Sequence, residues 1–136
     1  MASSSGDAGN RVLIVGAGPV GLALSLVLTR YDVPSLIIES RQAPTPRDES
    51  RAITWMPRGL ELLDWLGLGA DFQEQGLKRF SHDFWVKNSR VLKMSFDNVD
   101  SPHRYTLQLP QHDSETLLES AALATGLSRS GEVTAS

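Results

Sequence analysis

Three glycines near the amino terminus have the spacing Gly-x-Gly-x-x-Gly, in the segment Gly16-Ala17-Gly18-Pro19-Val20-Gly21. In such a segment the first glycine allows a tight turn, the second lets the backbone approach a pyrophosphate, and the third lets a helix pack closely on a strand. Glu39 follows 18 residues after Gly21, where its carboxylate can accept hydrogen bonds from both hydroxyls of an adenosine ribose. The same carboxylate repels a ribose 2′-phosphate. The spacing therefore indicates FAD or NAD, which present the same ADP ribose, and disfavours NADP.

The elements that must position these residues are predicted from the apolar pattern. Val12 to Val15 form a continuous apolar run, which is typical of a strand covered on both faces. Val20 to Arg30 is rich in Leu and Ala and predicts a helix, and Leu36 to Ile38 predict a second strand that ends at Glu39. Two parallel strands joined by this helix would direct the unpaired N–H groups of its amino terminus at a phosphate. The alternative is that the glycines only form a tight turn and that Glu39 is an exposed strand end.

The next part of the chain predicts a loop followed by helices. Arg41 to Ser50 is polar and contains two prolines, so it is predicted to be a loop. A helix is predicted from Pro57 to a capping Gly67, and a short helical turn over Ala70–Gln75. The last predicted helix runs from Ser114 to Thr125, with Asp113 or Ser114 as its cap.

Short β-rich runs separate these helices. Phe84–Val86 and Val91–Met94 flank turn residues, and Tyr105–Leu109 alternates apolar with polar side chains. We expect these three strands to form one small antiparallel sheet, inserted at about residues 80–110 after the βαβ unit. Glu132 to Thr134 resembles the beginning of one more strand.

The composition excludes several kinds of function. The 136 residues correspond to about one domain, and the net charge of −3 comes without the basic block that a nucleic-acid partner requires. No cysteine is present, so disulfides and thiolate metal sites are excluded. His82, His103 and His112 have no metal-type pairing, and we expect no metal and place these histidines on the surface or in turns.

The amino-terminal region bears on the location of the protein. Residues 1–10 are rich in Ser, Gly and Ala and lack the features of a signal peptide, so we expect a disordered tail. Glycines and a proline interrupt the apolar run from Val12 to Leu28, whereas a membrane span needs about 20 uninterrupted apolar residues. A cytoplasmic protein is expected.

Three separated pieces of the chain, the first of which includes the glycine segment, resemble class A flavoprotein monooxygenases, the para-hydroxybenzoate hydroxylase-like family. The first piece is the run from Val12 to Leu24 together with Ile38-Glu39-Ser40-Arg41. The others are Ser50-Arg51-Ala52 ahead of Pro57 to Leu63, and Leu109-Pro110-Gln111 followed by Glu115 and Leu118. The resemblance covers about residues 11 to 126. It implies an α/β fold, namely a Rossmann-like βαβ FAD-binding domain with a small antiparallel β insertion. The domain would be truncated, and residues 11–136 would form its N-terminal part.

The resemblance also implies roles for individual residues. The three glycines would lie on the FAD pyrophosphate, Glu39 on the ribose and Arg41 near the adenine. Arg51 would contact the phosphate or ribityl region, and Gln111 the ribityl chain, since an amide can donate to and accept from a hydroxyl. The predicted cofactor site also includes the adjoining residues Pro19, Val20 and Ser40. Asp32 stands where the family usually has a helix-ending glycine, and Asp tolerates the left-handed conformation.

In that family a nicotinamide cofactor reduces FAD, and oxygen is then used to hydroxylate a phenol-like ring. The sequence lacks the later Gly-Asp motif that binds the riboflavin half, and no catalytic residue is identified. We therefore expect FAD, NAD(P)H and a small aromatic substrate as the partners of a complete parent, and little or no activity from this chain alone.

Three alternatives remain open. The chain could be a non-catalytic, truncated remnant that binds nucleotide, or a different FAD oxidoreductase of the same fold, such as a halogenase or ring dehydrogenase. It could also be an NAD-dependent dehydrogenase domain, although Ser50-Arg51-Ala52 and Gln111 argue against it.

Overall fold

The computed structural model describes residues 11–126 and 129–131. In chain order the described elements are β1 (Val12–Val15), α1 (Pro19–Arg30), β2 (Ser35–Glu39), β3 (Ala52–Trp55), α2 (Pro57–Leu66), α3 (Gly69–Gln75), β4 (Leu77–Arg79), β5 (Ser81–Val86), β6 (Ser89–Ser95), β7 (Thr106–Pro110), α4 (Gln111–Ala124) and β8 (Arg129–Gly131). The tail predicted for residues 1–10 and the strand predicted for Glu132–Thr134 lie outside the described residues.

The predicted βαβ unit is present. β1 and β2 lie parallel, with Val12 opposite Ser35 and Val15 opposite Ile38, and α1 connects them. On its other side β2 pairs in parallel with β8. Asp32 follows α1 with a φ of 54°, which confirms the left-handed conformation expected there.

The prediction that β1 is covered on both faces is wrong. Ile14 is buried, but Leu13 is 56% exposed and Val15 is 81% exposed. The physical reason is that α1 is the helix that packs on β1 in the described chain, and it covers the face that carries Ile14, whereas Leu13 and Val15 lie on the other face. A continuous apolar run in the sequence therefore does not establish that both faces are covered.

The antiparallel strands form two sheets, where the sequence predicted one. β5 and β6 pair only with each other in the described chain, whereas β7 pairs with β3 on one side and β4 on the other. The strand predicted at Tyr105–Leu109 therefore exists as β7 but does not join the hairpin. β3 was not predicted, because its four residues carry half-buried Ile53 and Trp55 between exposed neighbours and give too short a pattern.

The helices bring the two halves of the structure together. α2 begins at Pro57 and ends before Gly67, whose φ of 82° confirms the predicted cap. α4 begins at Gln111, earlier than predicted, because Pro110 ends β7 and is itself the N-cap; the predicted caps Asp113 and Ser114 lie inside the helix. α4 packs against α1 on one side and against β3 and β7 on the other. No helix in the described part of the chain is long and apolar enough to cross a membrane.

The expectation that His103 is a surface or turn residue is wrong, because its side chain is buried. Its Nε2 lies 2.5 Å from Asp64 Oδ2, and its Nδ1 lies 3.0 Å from the Tyr105 hydroxyl. Two polar partners make the burial of an imidazole tolerable, and these residues stand far apart in the sequence. This cluster fastens the segment before β7 to α2.

The packing of α4 gives a test of the fold. Leu118 is fully buried in the common core, whereas Leu123 on the same helix is 55% exposed. We expect Leu118→Ala to lower the free energy of unfolding by about 2–5 kcal/mol, since it removes packed methyl groups and leaves a cavity. Leu123→Ala is the matched control and should change it by no more than about 0.5 kcal/mol. Chemical denaturation measures both, and equal effects would contradict the described position of α4.

Candidate cofactor site

The glycine segment forms the turn between β1 and α1. Gly16 has a φ of 104°, a conformation that side chains disfavour, and its N–H donates to the carbonyl of Ile38 at 2.7 Å. A Cβ atom on Gly21 would collide with the carbonyl oxygen of Gly16, so only glycine permits this approach of α1 to the turn. A Cβ atom on Gly18 would meet nothing within 4 Å. Gly18 is therefore not required by contacts inside the protein, and it leaves its backbone open to a ligand.

The amino terminus of α1 is open to an anion. Pro19 occupies the first position of the helix, Gly18 is the N-cap without a side-chain hydrogen bond, and the first turn contains no acidic residue. The first N–H groups of a helix have no carbonyl partner within it, and the helix dipole adds positive potential at this end. These features suit a phosphate group.

The carboxylate of Glu39 lies at the same end of α1. Its Oε2 accepts from the Ala17 N–H at 2.7 Å, and its Oε1 accepts from the Arg41 N–H at 2.9 Å and the Ser40 hydroxyl at 3.2 Å. The hydrogen bond from the Arg41 N–H lowers the pKa of Glu39 from its ordinary 4.5; burial opposes the shift, and the Ala17 N–H and Ser40 add to it. Glu39 is therefore an ionised acceptor that also ties the glycine turn to the segment after β2.

A second carboxylate, Glu115, forms the opposite wall. It is buried on α4, its Oε2 accepts from the Thr45 N–H at 2.7 Å, and its Oε1 accepts from the Thr45 hydroxyl at 3.1 Å. The Gln111 amide, one helical turn earlier, donates to the same Oε1 at 2.7 Å. His112 donates from Nδ1 to the Thr45 carbonyl at 2.7 Å, so this half-buried histidine also holds the wall and is more than a surface residue.

Arg41 connects the two walls. Its guanidinium donates to the Thr45 hydroxyl at 3.1 Å, while its N–H is bound to Glu39. The hydrogen bonds thus run from the glycine turn through Glu39, Arg41 and Thr45 to Glu115. They surround a cavity of about 200 Å³ that is lined by Ala17, Gly18, Glu39, Arg41, Ala43, Pro44, Thr45, Gln111 and Glu115.

A larger apolar cavity adjoins this polar one. It has a volume of about 660 Å³, and its lining includes Pro19, Val20, Trp55 and Met56. Gln111 lines both cavities and therefore lies between them. A ligand with a polar, anionic end and an apolar end could extend across this residue.

The structure does not bring every predicted site residue to the polar cavity. Gly18, Glu39, Arg41 and Gln111 line it, and Ser40 reaches it through its bond to Glu39. The other predicted residues fall elsewhere: Gly16 and Gly21 shape the turn, Pro19 and Val20 line the apolar cavity, and Arg51 lines a separate cavity. The Arg51 carbonyl nevertheless accepts from the Gln111 N–H at 2.9 Å, so the two positions are linked through the backbone.

Sequence reasoning missed the roles of Ala17, Thr45 and Glu115 as wall residues. Gln111 and Glu115 are spaced i, i+4, and this spacing puts two side chains on one face of a helix once the helix is known to begin at Gln111. Nothing in the local sequence connects Thr45 with a residue 70 positions later. In the part of the chain that the structure describes, no group of three or more His, Asp or Glu side chains could hold a metal ion.

Comparison with known proteins identifies the family of the chain. The family model described as "FAD binding domain" matches residues 10–135. An aromatic compound monooxygenase of Bacillus subtilis is 37% identical over 84% of this chain and 22% of its own length. A 12-dehydrotetracycline 5-monooxygenase/anhydrotetracycline 6-monooxygenase of Streptomyces rimosus is 37% identical over 91% of this chain and 24% of its own. The chain thus spans about a quarter of the length of these relatives.

Solved structures show the same likeness. The anhydrotetracycline hydroxylase OxyS from Streptomyces rimosus superposes with a TM-score of 0.73 at 34% identity, over 90% of this chain and 24% of its own. The p-nitrophenol 4-monooxygenase PnpA from Pseudomonas putida DLL-E4 superposes with a TM-score of 0.75 at 25% identity, over 85% of this chain and 30% of its own. The chain therefore belongs to the FAD binding domain family that is found in flavoprotein aromatic monooxygenases.

Proposed function

We propose that the polar cavity binds the ADP half of FAD. One observation carries this assignment: the open backbone of Gly18 and the ionised Glu39 face a single cavity at the amino terminus of α1. The pyrophosphate would lie against Gly18 and the first N–H groups of the helix, and Glu39 would accept from the ribose hydroxyls. Arg41 and Ser40 border the adenosine side of this arrangement.

The riboflavin half would extend past Gln111 toward the apolar cavity. Gln111 lies between the two cavities, so its side chain fits a contact with the ribityl chain. Pro19 and Val20 line the way from the glycine turn to the apolar cavity. Arg51 would need its exposed side chain to turn toward the phosphates or the ribityl chain, and its backbone link to Gln111 keeps it near enough for this role.

For the whole protein we propose hydroxylation of a small aromatic substrate with NAD(P)H and oxygen. Bound FAD would supply the redox and oxygen chemistry, while the polypeptide would bind and orient the cofactor. The proposal is supported by the relatives' names, which include a p-nitrophenol monooxygenase and tetracycline hydroxylases. Residues 11–136 would supply the first part of the FAD-binding domain, and we expect no steady NAD(P)H oxidation from these 136 residues alone.

The Glu39 contact is tested by titrating the purified chain with FAD. We expect saturable binding, and Glu39→Ala should weaken it about tenfold or more, because charge-assisted hydrogen bonds to two hydroxyls are lost. Glu74→Ala removes an exposed carboxylate on α3 and is the matched control, with unchanged affinity. A folded wild-type chain that fails to bind FAD would support the non-catalytic remnant instead.

Two glycine substitutions separate binding from folding, although each adds the same methyl group. Gly18→Ala should leave the melting temperature nearly unchanged but reduce FAD affinity, since the new Cβ occupies space that only a ligand would fill. Gly21→Ala should lower the melting temperature, because its Cβ meets the Gly16 carbonyl. Thermal unfolding and FAD titration of both variants give the answer. Unimpaired FAD binding by Gly18→Ala would refute the pyrophosphate position.

The lowered pKa of Glu39 predicts a pH dependence of stability. A carboxyl group with a lower pKa in the folded state stabilises the fold above its unfolded pKa, near 4.5, and loses that contribution as the pH falls through the folded value. The difference in unfolding free energy between wild type and Glu39→Gln should therefore shrink between about pH 6 and pH 3. Denaturation at several pH values measures it. A difference that grows on acidification would contradict the described hydrogen bonds.

A further inference from the structure

Glu115 has a set of partners that its position on a helix does not require. Its side chain is buried, with 3% of its surface exposed, and it accepts three hydrogen bonds. Two of them come from Thr45 and one from Gln111. All three donors belong to residues that line the polar cavity. A buried carboxylate satisfied in this way fixes its donors as firmly as they fix it.

These contacts determine the orientation of the Gln111 amide. A carboxylate only accepts, so the Gln111 Nε2 must face Glu115, at 2.7 Å from its Oε1. The Nε2 group also donates to the Thr45 hydroxyl at 3.3 Å. The NH₂ group is therefore directed at Glu115 and Thr45, and the remaining polar atom, Oε1, has no partner among the described residues. In this orientation Gln111 offers a ligand its carbonyl oxygen as an acceptor, although a free glutamine could also donate.

We propose that Glu115 is a positioning residue of the cofactor site, acting through Gln111. It holds the amide so that its carbonyl oxygen is available to a hydroxyl of the ribityl chain, and it excludes the reversed orientation, in which the NH₂ group would be presented. The same carboxylate fastens the Thr45 segment to α4. This inference rests on the proposed binding of FAD across Gln111, and it adds a residue that does not itself touch the cofactor.

Two substitutions of Glu115 separate its two tasks. In Glu115→Gln the new carbonyl oxygen can still accept from the Thr45 N–H, but the new NH₂ group then faces the Gln111 NH₂ group. The Gln111 amide must invert or lose its anchor, while the Thr45 segment stays attached. Glu115→Ala removes every acceptor, so Gln111 loses its anchor and the Thr45 N–H and hydroxyl lose theirs, while the Thr45 carbonyl keeps its bond from His112. The first variant therefore affects the ribityl end of the site, and the second affects both ends.

The experiment measures the affinities of ADP and FAD for the same variants. We expect Glu115→Gln to weaken FAD binding about threefold to tenfold, which corresponds to one net hydrogen bond, and to affect ADP binding less, because the Thr45 N–H keeps its acceptor. Glu115→Ala should weaken both ligands. Gln111→Ala should have little further effect in the Glu115→Gln background, since the two residues act on one contact. Ser120→Ala, at an exposed position of α4, is the control and should change neither affinity.

A measurement on the wild type covers the case in which the variants do not fold. The side-chain amide protons of Gln111 should exchange with water more slowly than those of the exposed Gln75, as followed by NMR. Equal exchange rates would overturn the proposal, as would equal losses of ADP and FAD affinity in Glu115→Gln, additive effects with Gln111→Ala, or no effect at all. Failure of wild type to bind either ligand would instead refute the proposed function.

Discussion

The approach of α1 to the turn after β1 constrains everything built around it. Gly21 lies so close to the Gly16 carbonyl that no side chain can stand between them. This contact sets the direction of α1, and with it the position at which the open amino terminus of the helix meets the end of β2, where Glu39 lies. A Cβ atom added at Gly18 would meet nothing within 4 Å. One glycine thus makes the fold possible, and its neighbour leaves the fold open to a ligand.

α4 completes what the βαβ unit begins. It packs on α1, so the helix that carries Gln111 and Glu115 is held beside the helix that begins at the glycine turn. Its first turn also receives the chain from β7 without a loop, through Pro110. Because strand, helix and core share this junction, the wall formed by Gln111 and Glu115 is set by packing and not by a mobile connection. The Thr45 segment, which has no regular structure, is held by hydrogen bonds to Glu115, His112 and Arg41.

The sequence predicted the elements of the candidate site that depend on local spacing. The glycine turn, its helix and the acid that ends β2 lie within one short unit, so their relation follows from the periods of strand and helix. The wall opposite them joins Thr45 to Glu115, and that contact depends on how α4 packs against α1, which no local pattern specifies. The prediction of strand pairing was wrong for the same reason. The pattern of Tyr105–Leu109 predicts a strand, but it does not specify that β3 is a partner of that strand. His103 was misplaced because Asp64, which satisfies it, is distant in the chain.

The cavity that we assign to an anionic cofactor is lined by two carboxylates. Hydrogen bonds to each carboxylate stabilise its negative charge in that cavity. Glu39 accepts hydrogen bonds from the N–H groups of Ala17 and Arg41, and Glu115 accepts three from donors of the opposite wall. Both carboxylates keep their charge, and the phosphate would lie at the helix terminus, where the open N–H groups provide a separate region of positive potential. Acceptors and donors thus occupy different sides of one cavity. A molecule that carries hydroxyls on either side of a pyrophosphate, as FAD does, matches that division.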